Sequence, residues 1–261
     1  MPSTAIDAGR LNGEQEGGRQ DAVRPVAGIG LMNENALHAA VKDWCALPGD
    51  RLEVPVDGYV VDVVRDGLLI EVQTRNLAAI RDKLRALSAA GHRLDLVLPI
   101  AREKWIVHVA PDDGRRLSRR RSPKRGRVTD LFDELVRIPD LLTWEGVTLR
   151  VLLTREEEVR CDDGRGSWRR KWVSIVDRRL LAVLEALTFR CGADLAALLP
   201  AELEPPFTNR HLAKRAGISL RTAQRMTYCL ERLDTIRRVA KKGNALLFDF
   251  VTTMRYNAVE G

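Results

Sequence analysis

Glu53, Asp62 and Glu71 stand at an even spacing of nine residues in the stretch EVPVDGYVVDVVRDGLLIEVQT, and the dipeptides Asp57-Gly58 and Asp66-Gly67 fall midway between them. Asp-Gly between apolar strand formers is the strongest short hairpin signal, so the stretch reads as a three-strand meander with two-residue turns. Such turns fix the register. Arg65 then pairs with Leu68, Val63 with Ile70, Asp62 with Glu71, and across the first hairpin Glu53 lies opposite Asp62. The three acids form one row on one face, with neighbouring Cβ atoms roughly 5 Å apart. Like charges placed so destabilise a sheet, and burial makes the conflict worse. A divalent cation relieves it, since Mg²⁺ is held by one or two carboxylates with water and substrate phosphate. Basic side chains or open solvent relieve it as well.

The flanking segments have to position this row. In NENALHAAVKDWCA, Asn33 can cap a helix whose Leu37, Val41, Trp44 and Cys45 make an apolar stripe. Glu34 sits at the edge of the inward face, in a first turn where the helix dipole favours an acid in any case. His38 reads as a boundary residue. After the meander, NLAAIRDKLRALSAA presents Leu77, Ile80, Leu84 and Leu87 to the core. Lys83 on that helix is either solvated or directed back at the acids. RLDLVLPI and KWIVHVA follow as two strand-length runs, the first extending the sheet.

The order helix, three-strand meander with Asp62 on the second strand and Glu71-x-Gln73 on the third, then helix, resembles the core of the PD-(D/E)xK, restriction-endonuclease-like nucleases over roughly residues 33–110. The resemblance implies an α/β fold with a three-layer core of helix, meander, helix and strand. It also implies that Asp62 and Glu71 bind Mg²⁺ or Mn²⁺ and that Gln73 orients water or a phosphate oxygen. Glu34 or Glu53 would add a ligand, and Lys83 charge for the transition state. Val61 replaces the Pro of the motif. Gln73 replaces the usual Lys with an uncharged amide, as in some active members. Two functions stay open: Mg²⁺-dependent phosphodiester hydrolysis, or a non-catalytic DNA-binding regulator on a degenerate nuclease fold.

With 261 residues, 45% of them hydrophobic, the chain can build one large core or two modest ones. A net charge of +7, from 43 basic against 36 acidic residues, favours polyanionic partners moderately. Cys45, Cys161, Cys191 and Cys229 lack zinc-ligand or disulfide-framework spacing, so reduced thiols and a cytoplasmic location are expected. No apolar run approaches ~18 residues. DNA is the expected partner, a membrane is not, and a homodimer is left open.

Residues 1–30, rich in Gly, Gln, Glu and Arg, read as a disordered leader. A nuclease-like domain over 31–155, a linking strand and helix region over 156–204 and a C-terminal unit over 205–251 follow. Residues 115–127 carry eight Lys or Arg in what reads as a basic loop, with Arg119, Arg120, Arg121 and Lys124 as backbone-phosphate contacts or merely a solvated stretch. VTDLFDELVRIPDLL reads as a helix, REEEVRCDDGRGSWRRKW as a charged turn-rich segment, and VSIVDRRLLAVLEALTF as strand passing into helix. Trp168, among Arg165, Arg169, Arg170 and Lys171, either stacks on a base or anchors a hairpin.

In the C-terminal unit, Thr208 caps one helix, Gly217 ends it, and Ser219 caps the next. Ala223, Met226, Leu230 and Leu233 face inward, leaving Arg221, Thr222, Gln224 and Arg225 outward. Gly243-Asn244 turns a hairpin tipped by Lys241 and Lys242. The arrangement resembles a winged helix-turn-helix domain. That family implies the second helix in a DNA major groove and the wing on the backbone, although winged helices also bind proteins.

Overall fold

The computed structural model describes residues 35–251. The expected leader and Glu34 lie outside these residues. Helix α1 (Asn35–Cys45) precedes the meander β1 (Arg51–Val56), β2 (Tyr59–Arg65) and β3 (Leu68–Val72). A 3₁₀ turn at Leu77–Ile80 leads into α2 (Arg81–Ala89), then β4 (Arg93–Val109) and β5 (Arg116–Arg121). Short helical turns, including α3 (Phe132–Leu135), connect to the long hairpin of β6 (Val147–Cys161) and β7 (Ser174–Phe189). After α4 (Gly192–Ala196) come α5 (Asn209–Ala216), α6 (Leu220–Arg232) and the hairpin β8 (Ile236–Lys242) and β9 (Ala245–Phe250).

Both Asp-Gly turns form as expected. Asp57 and Gly58 have φ of 47° and 83°, Asp66 and Gly67 45° and 77°. Two successive positive φ values are the signature of the type I′ turn, whose twist matches the strands it joins. The register follows, with Leu52 paired to Val63, Val54 to Val61 and Val63 to Ile70.

The large sheet runs β1-β2-β3-β4-β6-β7, with β5 on β4 beyond the end of β3. The β3–β4 and β4–β6 pairings are parallel and the others antiparallel, so the sheet is mixed. Alternation along the strands supplies two apolar faces. Leu37, Val41 and Cys45 of α1 pack with Val63, Ile70, Val72, Val97 and Leu152 on one face. The larger cluster, built on Leu69, Leu94, Leu96, Leu149 and Val151, meets Leu84 and Leu87 of α2 and Phe132 and Leu135 of α3. It continues without a break into Leu212, Ala223, Met226 and Leu230, so α5 and α6 share the core of the sheet.

Several segments differ from the sequence reading. RLDLVLPI and KWIVHVA are one strand, β4, with a register shift between Ala101 and Glu103. The LLAVLEALTF run is not helix: β7 is extended through Phe189, because pairing along β6 outweighs the helix propensity of its Ala, Leu and Glu residues. The basic loop is largely strand β5, whose Arg-rich sequence suits an edge. VTDLFDELVRIPDLL forms separate short turns, with α3 only four residues long. Most of REEEVRC belongs to β6. Among the described residues no helix is long and apolar enough to cross a membrane.

Candidate functional site

Strands β2 and β3 part where Asp62 faces Glu71. Their pairing ends at Val63–Ile70; the rest of β2 pairs with β1, and β3 beyond Ile70 pairs with β4 through Val72–Val97. The fork is closed by side chains. Asp62 Oδ2 accepts the backbone N–H of Val72 at 2.8 Å, and Asp62 Oδ1 lies 3.1 Å from Nε2 of His38 on α1. Lys83 reaches in from α2, on the other face of the sheet. Its ammonium donates to Glu71 Oε1 at 2.5 Å and to the Val60 carbonyl, on the parted stretch of β2, at 2.6 Å.

Glu71 is buried, and its second oxygen, Oε2, has no hydrogen-bond partner. A buried carboxylate oxygen without a partner is costly, and here it sits beside a second carboxylate. Burial and the Asp62 charge push the Glu71 carboxyl above the usual carboxylate range, and Lys83 only partly opposes them. Asp62 behaves in the opposite way. Burial would raise its carboxyl, but the hydrogen bonds from His38 and Val72 hold it below the ordinary value. The same His38–Asp62 bond raises the imidazole pKa against the effect of burial.

Gln73 continues β3 through its backbone N–H to the Val97 carbonyl at 2.9 Å. Its side-chain amide donates to the carbonyls of Arg75 and Asn76 at 2.6 and 3.2 Å, which braces the loop entering α2. Glu53 lies at the register position opposite Asp62, yet its φ of 51° and its 2.5 Å ion pair with Lys42 carry an exposed side chain out along α1. The acid row is therefore narrowed to two members. Among the described residues no group of three or more His, Cys, Asp or Glu side chains forms a metal-ligand cluster. His38 is the partner that sequence reasoning passed over. Its place directly after the buried Leu37 was the available signal, but only the docking of α1 shows which strand it meets.

The residues expected on DNA are dispersed. Arg119 is paired to Glu157 at 2.8 Å and its guanidinium lies 4.1 Å over the Trp105 ring, while Arg121 pairs with Glu103 at 2.6 Å. Arg120 and Lys124 are exposed. On α6, Arg221 and Gln224 are exposed, and Thr222 Oγ1 lies 2.8 Å from the capping hydroxyl of Ser219. Arg225, expected to face outward, instead forms an ion pair with Asp133 of α3, because this part of α6 lies against the sheet domain. Arg127 adds a second tie, donating to the Gly217 carbonyl at 2.6 Å. Lys241 and Lys242 are exposed on β8.

The model of a domain of unknown function, DUF8091, matches residues 35–190, more than half of the chain. The chain belongs to the DUF8091 family. The DUF8091 match begins with α1 and ends just after β7, so it contains the fork, the central strands and the long hairpin. A protein of Treponema pallidum (strain Nichols), described as "Uncharacterized protein", is 34% identical over 222 residues, covering 84% of this chain and 86% of its own length. No solved structure matches the chain.

Proposed function

We propose that this DUF8091 protein acts on DNA and hydrolyses phosphodiester bonds with a restriction-endonuclease-like site of the PD-(D/E)xK kind. One observation carries the reading. Glu71 gives one oxygen to the Lys83 ammonium and keeps the other buried and without a partner, beside the ionised Asp62. The donor set fits a hard cation: two carboxylates on adjacent strands, with positive charge still wanting at one of them. Asp62 and Glu71 would hold Mg²⁺ or Mn²⁺, which supplies Lewis-acid polarisation of the phosphate and a more acidic water.

The remaining roles belong to the chain itself. His38 orients the Asp62 carboxylate and keeps it ionised. Lys83 offers from α2 the ammonium that Gln73 cannot, in position to stabilise charge that develops on a phosphate. Gln73 holds the loop between β3 and α2, leaving its amide oxygen as an acceptor. The α5–α6 pair and the β8–β9 hairpin support a winged-helix reading, with Arg221 and Gln224 toward bases and Lys241 and Lys242 toward backbone.

The test is cleavage of duplex, single-stranded and branched DNA with Mg²⁺ or Mn²⁺. Asp62→Ala and Glu71→Ala should each lower the rate by on the order of 10³-fold, and Lys83→Ala by about 10²-fold, when assayed well below the melting temperature of each variant. Full activity in both acid variants would sink the assignment. The second reading is a DNA-binding regulator that uses the fold as a scaffold. It is favoured by His38 and Lys83, which already give each acid a basic partner. Intact DNA binding with no Mg²⁺ or Mn²⁺ uptake in calorimetry would select it.

A further inference from the structure

The turn joining β6 to β7 and the loop leaving β3 enclose a cleft of about 330 Å³, at the lower end of small-ligand pockets. Arg75, Arg165, Arg170 and Arg178 line it together with Ser167 and Ser174. No Asp or Glu stands among its described lining residues. Arg165 and Arg170 each bring to it a planar donor group suited to phosphate oxygens.

The turn is built rather than loose. Gly166 N–H donates to the Trp172 carbonyl at 2.7 Å, and a Cβ on Gly166 would lie 2.0 Å from the Val173 carbonyl oxygen, so the tight crossing demands glycine. Ser167 accepts from the Arg169 N–H at 3.3 Å, and the Arg170 guanidinium is anchored to the Val173 carbonyl at 3.2 Å. Arg178 forms an ion pair with Glu158 at 3.8 Å. Lys171 and Trp172 take positive φ of 53° and 65°, conformations that non-glycine residues adopt only when the surroundings impose them.

The same turn presents two aromatic side chains to solvent. Trp168 is 69% exposed and Trp172 58% exposed. Neither is serving as a core anchor, and Arg169 lies 5.5 Å over the Trp168 ring. Exposed indoles beside a cationic cleft are the combination that binds single strands, with bases stacking on the rings and phosphates held by the cations. The cleft shares with the fork helix α1 and the exit of β3. Leu37 lines it and is followed by His38, and Thr74 lines it directly after Gln73.

We infer that the β6–β7 turn is a binding site for single-stranded nucleic acid: backbone phosphate enters the arginine cleft and bases stack on Trp168 and Trp172, beside the Asp62–Glu71 fork. The inference rests on the reading of the chain as a protein that acts on nucleic acid.

Binding of a labelled single-stranded oligonucleotide, measured in EDTA so that cleavage plays no part, tests it. Arg165→Ala/Arg170→Ala should weaken binding about 10-fold at moderate salt and lower the salt slope by about 1.4, the value for two phosphate contacts on a single strand. Arg165→Lys/Arg170→Lys should keep the salt slope. Trp168→Ala/Trp172→Ala should weaken binding at least about 5-fold with the slope unchanged. Thermal melting of each variant at the wild-type temperature establishes that the fold is kept.

Wild-type affinity and slope in the Arg165→Ala/Arg170→Ala protein would overturn the inference. So would pyrophosphate or a nucleoside triphosphate binding as tightly as the oligonucleotide and independently of both tryptophans, which would assign the cleft to free phosphate compounds. Loss of cleavage in the Asp62 and Glu71 variants bears on the hydrolytic reading alone. Failure of the cleft and failure of the nuclease are therefore separable.

Discussion

Two buried glutamates of the sheet, Glu158 and Glu71, stand in opposite charge environments. In the far half of β6, Glu158 is 3% exposed and has Lys104 at 3.2 Å, Arg160 at 2.6 Å and Arg178 at 3.8 Å. Burial would raise its carboxyl, yet Lys104 and Arg160 hold it below the ordinary value. At the fork, Glu71 is 6% exposed and meets one ammonium and one like charge, and its carboxyl is raised. The two sites have the same residue type at nearly the same depth. What separates them is the count of cations, three against one.

This contrast can be broken first through stability. Glu158→Gln should cost about 3 kcal/mol, the low end for breaking a buried ion pair, because its cations keep partial solvent access. Glu71→Gln should cost less than about 1 kcal/mol, since the lost Lys83 contact is offset by removal of a desolvated charge. The pH dependence follows in sign. A raised Glu71 carboxyl lends stability that is full below its unfolded value and is lost as pH rises through the raised folded value, and Glu71→Gln removes that loss. The lowered Glu158 carboxyl stabilises above its unfolded value, and this is lost as pH falls through the folded one. Urea melts from about pH 2.5 to about pH 8 measure both. Equal costs for the two variants would erase the distinction.

A smaller effect sharpens the same point. At ten times its dissociation constant, Mg²⁺ or Mn²⁺ should stabilise the wild-type fold by about 1.4 kcal/mol and Glu71→Gln or Asp62→Asn not at all. Differential scanning calorimetry with and without the ion reads this directly. Stabilisation of equal size in Glu71→Gln would show that the fork is not where the cation binds.

The smallest effect concerns His38. Its imidazole is raised by the Asp62 hydrogen bond, so its contribution is full below about pH 6.5 and fades as pH rises through the folded value. His38→Gln should reduce the stability difference between pH 6 and pH 8 by less than about 1 kcal/mol, given the partly open site. An unchanged difference in paired urea titrations would detach His38 from the fork's charge balance.

The parts of the fold that were legible share a cause. Asp57-Gly58 and Asp66-Gly67 specify their turns by backbone conformation alone, and the turns carry the register with them. The caps at Thr208 and Ser219 and the left-handed Gly217 are equally local. β7 was not legible, because its helix-forming composition is overruled by a partner strand that local sequence does not reveal. Arg225 failed for a related reason: the helical pattern gives its face, but Asp133 occupies that face only because α3 packs there.

By itself, then, the sequence determined the meander and its register as far as Val63–Ile70, since these depend on residues a few positions apart, whereas the expected pairing of Asp62 with Glu71 gives way to the parting of the strands. The tertiary structure alone decided that Glu53 leaves with Lys42, that His38 and Lys83 arrive from opposite faces, and that Glu71 keeps one oxygen without a partner. Those outcomes depend on where two helices dock and how deeply the fork is buried. Charge balance in a low-dielectric interior is set by such long-range placement, and no spacing of residues along a chain encodes it directly.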